Sequence, residues 1–346
     1  MQARRSSALM RVSIVVLVLS IPAFSQAQLS TLIREGQAAI DASDYPRALQ
    51  IFDQARQLAP DNLRVQQGLL LSLLQLGHLD EAEQIGKAVT LRWPEDAELH
   101  HWLGLAQFKK RENPEALTSL RRSEALDGSH SDIHFDIALV LLSDSNYGDA
   151  ARELEESIHL DPKQALPHVL LGRAYQNGNR SVDAVEQFQT ALRLDSDVPL
   201  GHYHLGFAYA SLGRSADAIA EYKKELARSP GNPAVLYQIG HCEVESGDWK
   251  SAIDNLTKAT KIDLHNADAF YDLGKALFLQ GDIANAEKVF RRSIELKPSN
   301  PSPHYQLSRA LEKQGKKDEA KAELETFAAL KKAQPVTSGM AAGPIQ

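Results

Sequence analysis

The chain carries twelve histidines and a single cysteine. These are the side chains whose spacing could hold a metal ion or support acid–base chemistry. Five of the histidines, His100, His134, His168, His202 and His304, recur at one fixed interval or a multiple of it. On an array of packed helices that period places them one per unit, about 10 Å apart, too far to share an ion. It fits a packing position that faces a core. His202-x-His204 and His130-x-x-x-His134 are closer pairs, but neither has an evident third ligand, so no metal is expected. Cys242 stands alone, which excludes an intrachain disulfide and a cysteine-only zinc site, and it reads as a small buried hydrophobe. There is no phosphate-cradling glycine loop, no His-Glu-x-x-His, no Gly-x-Ser-x-Gly and no Cys-x-x-Cys. An enzyme would have to draw on His204, His241 and Glu245, which form no recognisable constellation. No catalytic residue, cofactor or small-molecule substrate is therefore expected. Asn179-Arg180-Ser181 and Asn255-Leu256-Thr257 match the glycosylation pattern, which matters only in a eukaryotic host.

Composition narrows the partners. Of 346 residues, 45 are Asp or Glu against 38 Lys or Arg, a formal net charge of −7. An acidic balance argues against general nucleic-acid binding, which needs a basic surface. With 43% apolar and 24% charged residues the chain has an ordinary globular composition. The N-terminal segment 1–27, MQARRSSALMRVSIVVLVLSIPAFSQA, differs from the rest. Arg4, Arg5 and Arg11 form a basic start, an apolar run extends from Val12 to Phe24, and Ser25 and Ala27 place small residues before Gln28. This three-part pattern is that of a secretory signal peptide cleaved after Ala27. The apolar run is short for a spanning helix, which needs about 20 residues, so an uncleaved anchor is the lesser alternative. The residue after the cleavage point is Gln28 and not Cys, which gives no sign of lipid attachment. A periplasmic or secreted location follows, with the membrane involved only through export or a retained anchor.

The elements that must position any site recur with that same fixed period. Pro60, Pro94, Pro162, Pro230 and Pro298 are spaced by multiples of 34, and twelve positions upstream of each mark lies an alanine. The alanine series is complete: Ala48, Ala82, Ala116, Ala150, Ala184, Ala218, Ala252, Ala286 and Ala320. Gly36, Gly104, Gly172, Gly206, Gly240 and Gly274 share the period, with Leu70, Ala138 and Ser308 in the gaps. So do Gly77, Gly213, Gly247, Gly281 and Gly315. In residues 267–300, Phe270, Leu273, Ala276 and Leu277 form one helical stripe. Gly281-Asp282 breaks it, a second stripe runs from Ile283 to Leu296, and Pro298 stops that helix. Each unit is helix A, turn, helix B, turn.

This unit resembles the tetratricopeptide repeat. That family favours Gly or Ala at position 8, Ala at 20, an aromatic or Leu at 24, Ala or Ser at 27 and Pro at 32. Residues 267–300 supply Gly274, Ala286, Phe290, Ser293 and Pro298. Nine units tile residues 29–334 without an insertion: 29–62, 63–96, 97–130, 131–164, 165–198, 199–232, 233–266, 267–300 and 301–334. The match is weakest in repeat two, with Leu70 at position 8 and Gly86 at 24, and in repeat nine, with Lys332 for the proline. The resemblance implies an all-α, right-handed solenoid superhelix in which helix A lines a concave face that binds proteins. Repeat nine has no separate cap, so its own helix B must close the array, with Phe327 over its apolar side. Residues 335–346, PVTSGMAAGPIQ, read as a frayed tail.

By the family's pattern, positions 2, 5, 6, 9, 12 and 13 of helix A face the groove. Position 9 contributes Leu71, Leu105, Leu139, Arg173, Phe207, His241, Lys275 and Arg309; position 12 adds Leu74, Phe108 and Leu142. With Trp102 and Phe135, repeats two to four are expected to present an apolar groove. The alternative is that these leucines pack between helices. Tyr203, Tyr237, Tyr271 and Tyr305 form a ladder at position 5 of repeats six to nine, beside a mostly basic row. Glu245, Asp268, Asp272 and Glu312 offset that row, so an anion channel is not indicated. The Asn-based carboxylate clamp of some family members is missing from positions 6 and 9. The expected function is an exported, non-enzymatic scaffold that binds peptide or amphipathic-helix segments of protein partners in a bacterial envelope or secretion assembly. The rival is a polysaccharide- or peptidoglycan-binding solenoid that stacks sugars on the tyrosines.

Overall fold

The computed structural model describes residues 23–333, and every element among them is a helix. The chain divides into two compact units that meet at Leu126 and Asp127. The first holds α1 (Ala23–Asp41), α2 (Tyr45–Leu58), α3 (Leu63–Leu76), α4 (Leu79–Arg92), α5 (Ala97–Lys109) and α6 (Asn113–Leu126). The second begins with α7 (Ser131–Ser143), α8 (Tyr147–Leu160), α9 (Ala165–Asn177), α10 (Ser181–Leu194), α11 (Gly201–Ser211) and α12 (Ser215–Arg228). It continues with α13 (Pro233–Ser246), α14 (Trp249–Ile262), α15 (Ala267–Gln280), α16 (Ile283–Leu296), α17 (Pro301–Lys313) and α18 (Lys317–Ala333). Each frame of the repeat holds one pair, so odd helices are A and even helices are B, an all-α solenoid of helical repeats. Within each unit A helices also touch A helices: α1 meets α3 and α3 meets α5, and α9, α11, α13, α15 and α17 form a continuous row. The A helices therefore line the inner side of each unit.

The period of the sequence is a period of steric fit. All nine alanines at position 20 are buried, eight of them with no exposure and Ala320 at the end with 9%. The glycine at position 8 lies under the large side chain at position 24 of its own repeat. A Cβ on Gly274 would come within 2.4 Å of the Phe290 ring, and one on Gly172 within 2.6 Å of Phe188. The same relation joins Gly104 to Leu120 at 2.6 Å and Gly240 to Leu256 at 2.5 Å. Repeat two departs from the pair. Leu70 is fully buried at position 8, and Gly86 stands at position 24, where a Cβ would meet Leu103 of the next repeat at 2.9 Å. The small residue at position 24 there accommodates a leucine of the following helix A.

Position 15, between the helices, is left-handed in all nine repeats. Gly77, Gly213, Gly247, Gly281 and Gly315 have positive φ, and so do Ser43, Arg111, Ser145 and Asn179 at the same position. The turn demands this conformation whatever the residue, and only glycine adopts it without steric cost. Four of the five histidines at position 4 are tied to position 23 of their own repeat, while the His100 ring meets the Pro94 carbonyl at 3.1 Å. His134 Nδ1 donates to Glu153 at 2.8 Å, His168 to Gln187 at 2.8 Å, His202 to Glu221 at 2.7 Å and His304 to Glu323 at 2.6 Å. They are buried or nearly so, and each pins helix A to helix B. Ion pairs link successive repeats as well, with Lys110 on Asp80 at 2.9 Å and Lys316 on Glu287 at 2.8 Å. Phe327 of α18 lies over Tyr305 of α17 at 5.3 Å between ring centroids, closing the last repeat on itself.

The proposed signal segment lies mostly outside the described residues, as does the tail from 335. Helix α1 starts at Ala23 and runs through Ala27 and Gln28. The hydroxyls of Ser30 and Thr31 bond to the Ala27 carbonyl at 2.9 and 3.0 Å. Core packing begins at Leu29, which is 7% exposed.

Two outcomes are expected. Ala218→Leu, at a site with no spare volume, should cost about 1–3 kcal/mol in thermal or urea melts, and Ala320→Leu clearly less. Equal losses would contradict the register. Ser145→Gly should raise stability by roughly 1 kcal/mol by removing a left-handed serine, whereas a loss would mean that the serine side chain compensates for its backbone.

Candidate functional site

In the first unit the A helices wall a cavity of about 1010 Å³. Its lining follows the groove register: Ser30, Ile33, Arg34, Gln37, Ile40 and Asp41 from α1, Arg64, Gln67, Gly68 and Leu71 from α3, and Glu98 and Trp102 from α5. These are positions 2, 5, 6, 9, 12 and 13 of their repeats. Beneath the lining lies the ring of Phe52 from α2, which is 1% exposed. That ring is seated between Gly36 and Gly68, where added Cβ atoms would approach it to 2.7 and 2.3 Å. Trp102 is half-buried, with part of its surface on the core cluster of Leu70, Leu73, Leu74 and Leu99. The Gln67 amide donates to Asp96 and Glu98, both at 3.1 Å, and so braces α3 against α5.

Only part of the expected apolar groove is brought to this cavity. Leu71 and Trp102 line it. Leu74 does not: it is 1% exposed and belongs to the core, because position 12 of α3 turns under its neighbours. Leu105 packs against the same core cluster and Phe108 is half-buried, both outside the cavity lining. The cavity belongs to repeats one to three, not two to four. Ile33, Arg34 and Arg64 were not among the candidates, although they stand at groove positions 5, 6 and 2 of repeats one and two, which was the available signal.

The second unit holds the remaining candidates. Phe135, Leu139, Leu142 and Phe207 are half-buried against its core cluster, which favours packing for these side chains. Arg173 is exposed. The tyrosine ladder is largely absorbed by packing. Tyr203 is 7% exposed and lies 5.7 Å from the Tyr222 ring, while Tyr237 and Tyr271 pack on the core and Tyr271 lies 6.3 Å from Phe290. Tyr305 is the exposed member, at 40%. A stacking platform needs several open ring faces, and this ladder does not offer them. Lys275 pairs with Glu245 at 3.1 Å and Arg309 lies over the rings of Phe278 and Tyr305 at 4.9 and 5.9 Å, so the basic row is partly spent on internal contacts.

The loose acid–base candidates each have their own partner. His204 stacks on Phe188 at 5.5 Å, and burial, with Arg173 nearby, pulls it down to about 4, so it is neutral near pH 7. His241 Nδ1 donates to Asp272 at 2.7 Å across adjacent repeats, and Asp272 is 3% exposed. That bond holds His241 above the ordinary histidine value against the opposing effect of burial. Glu245 is held by Lys275. Cys242 is 2% exposed and burial pushes its thiol up to about 11, as an inert core residue requires.

Paired helices that stack on their neighbours and leave an open, partly apolar cavity on their A side make a helical-repeat scaffold for protein–protein interaction. The tetratricopeptide repeat family is matched over residues 103–165, 169–233 and 237–301 by one of its models, and over 39–101 and 277–335 by another. The chain belongs to that family, whose members are generally non-enzymatic scaffolds. Among curated proteins none matches in sequence. The solved APC/C hetero-tetramer Cut9-Hcn1 is similar over 81% of this chain, at 19% identity and a TM-score of 0.54. This chain covers 55% of the length of that one. PilW, a widely conserved type IV pilus biogenesis factor, is similar over 59% of this chain and 94% of its own, at 21% identity and a TM-score of 0.53. At these identities the likeness is one of fold.

The His241–Asp272 bond predicts a pH effect. A histidine whose folded value is raised contributes stability fully below its unfolded value, near 6.5, and loses that contribution as pH rises through the folded value. The melting-temperature gap between the parent and Asp272→Asn should be largest just below that pH and shrink above it. A gap independent of pH would show that protonation of His241 does not support the fold.

Proposed function

We propose that the protein is an exported scaffold that holds peptide or helical segments of partner proteins along its A helices, as part of a bacterial envelope or secretion assembly. The observation that carries the binding part is the cavity of repeats one to three. It combines volume, an aromatic wall at Trp102 and exposed arginines on the face where helix A of each repeat is displayed. Binding energy concentrates in a few well-packed aromatic anchors, and Trp102 is placed to be one. Its exposed side faces the cavity while its other side is braced by the core. Export rests on the basic, apolar and small-residue order of the segment 1–27. Cleavage after Ala27 would leave Leu29, the first buried residue of repeat one, and the rest of α1 in place.

Both parts can be checked on the full chain produced in a bacterial host. N-terminal sequencing of the envelope or secreted fraction should begin at Gln28; recovery of Met1 on a soluble cytoplasmic form would overturn export. The mature protein should bind members of a peptide array and not a panel of polysaccharides or peptidoglycan. Trp102→Ala should weaken peptide binding by about 2 kcal/mol while the chain still folds cooperatively, with a lowered melting temperature from the lost contact with the core cluster. Binding to sugars alone would favour the rival reading.

A further inference from the structure

The cavity of the first unit is unevenly satisfied. Its carboxylates are engaged by amides: Asp41 accepts from Gln37 at 2.9 Å and Glu98 from Gln67 at 3.1 Å. Its two guanidinium groups are not engaged. Arg34 and Arg64 line the same cavity, are exposed, and make no hydrogen bond or ion pair among the described residues. Asp41 follows Arg34 by seven residues, about 10 Å along α1, and no ion pair joins them. An arginine stays charged at any ordinary pH, and its planar fork matches a carboxylate with two parallel hydrogen bonds. The same lining holds apolar Ile33 and Leu71 and, at one side, Trp102. The Phe52 ring beneath is 1% exposed, with Gly68 packed directly on it, since a Cβ there would lie 2.3 Å away.

Resting on the reading above, we propose that this cavity receives an internal acidic segment of a partner polypeptide. A large aromatic or aliphatic side chain sits against Trp102, Ile33 and Leu71, and flanking Asp or Glu side chains pair with Arg34 and Arg64. The lining runs from Ser30 to Asp41 along α1, which makes a trough for a chain passing through. The two arginines stand on different helices, α1 and α3, and so call for two carboxylates. A chain terminus brings one.

The test is fluorescence anisotropy of the mature protein with short labelled peptide libraries, each with one fixed central Trp, blocked ends and degenerate outer positions. The residues flanking the Trp are Glu in one library, Gln in the second and Lys in the third. A fourth ends in a free carboxylate directly after the Trp, with Gln before it. The Glu library should bind about tenfold tighter than the Gln library, the Lys library weakest, and the preference should fall as salt is raised. Arg34→Gln with Arg64→Gln should erase the preference while leaving the Gln library unaffected. Arg34→Glu with Arg64→Glu should turn it toward Lys. Both positions are exposed, and matching melts would show that the variants are folded. Equal binding of Glu and Gln libraries, or a preference that survives the double variant, overturns the acidic partner but leaves the peptide scaffold standing. Tightest binding by the fourth library overturns the internal segment in favour of a chain end. Binding by none of the libraries, with Trp102→Ala indistinguishable from the parent, overturns the scaffold reading as well.

Discussion

The structure depends on how closely helix A crosses helix B within each repeat. Interaxial distance is set by the side chains at the crossing, and here they are an alanine at position 20 and a small residue at position 8 beneath a large one at 24. Added Cβ atoms at the position-8 glycines would fall within 2.4–2.8 Å of the residue at position 24. That contact leaves no freedom in spacing or rotation, so every hairpin has the same shape and can stack on the next. Repeat two has a buried Leu70 at position 8 and Gly86 at position 24, and the space at Gly86 is taken by Leu103 of the next repeat.

The same crossing governs the inner face. The ring or branched side chain at position 24 reaches through toward helix A, and position 5 decides what happens above it. In repeats six and eight a tyrosine covers the aromatic beneath it, Tyr203 over Tyr222 and Tyr271 over Phe290. In repeats one and two position 5 holds Ile33 and Gln67, and position 6 of repeat two is Gly68. There Gly36 and Gly68 pack directly on the Phe52 ring, which is 1% exposed, and the smaller side chains above that layer leave the space of the cavity.

Polar groups follow the period too. A histidine at position 4 donating to an acid or amide at position 23 recurs as His134–Glu153, His168–Gln187, His202–Glu221 and His304–Glu323. Buried polar atoms are costly unless bonded, and a partner at a fixed place in the same hairpin satisfies them locally. The histidines are thus drawn into holding the hairpins together. His241 departs from the series: it sits at position 9, is partly open, and bonds to Asp272 of the following repeat.

Much of this was legible in the residues alone. The period, the helix pairs, the turn position and the family follow from local facts: which residues are small, which are apolar at helical spacing, and where glycine or proline interrupts. Such facts depend on neighbours a few residues apart, and a repeat writes them nine times. The acid or amide at the same distance after four of the five position-4 histidines was equally visible, at Glu153, Gln187, Glu221 and Glu323, and acquires meaning only once the hairpin closes. Tertiary structure alone decided which groove positions are open. Leu74 and Tyr203 carry the pattern of groove residues yet are 1% and 7% exposed. Position in a helix sets a side chain's direction, but exposure depends on how much the next helix and the ring below leave uncovered. That is a sum over residues from three helices, and it opened the face at Arg34 and Arg64 while closing it at Leu74.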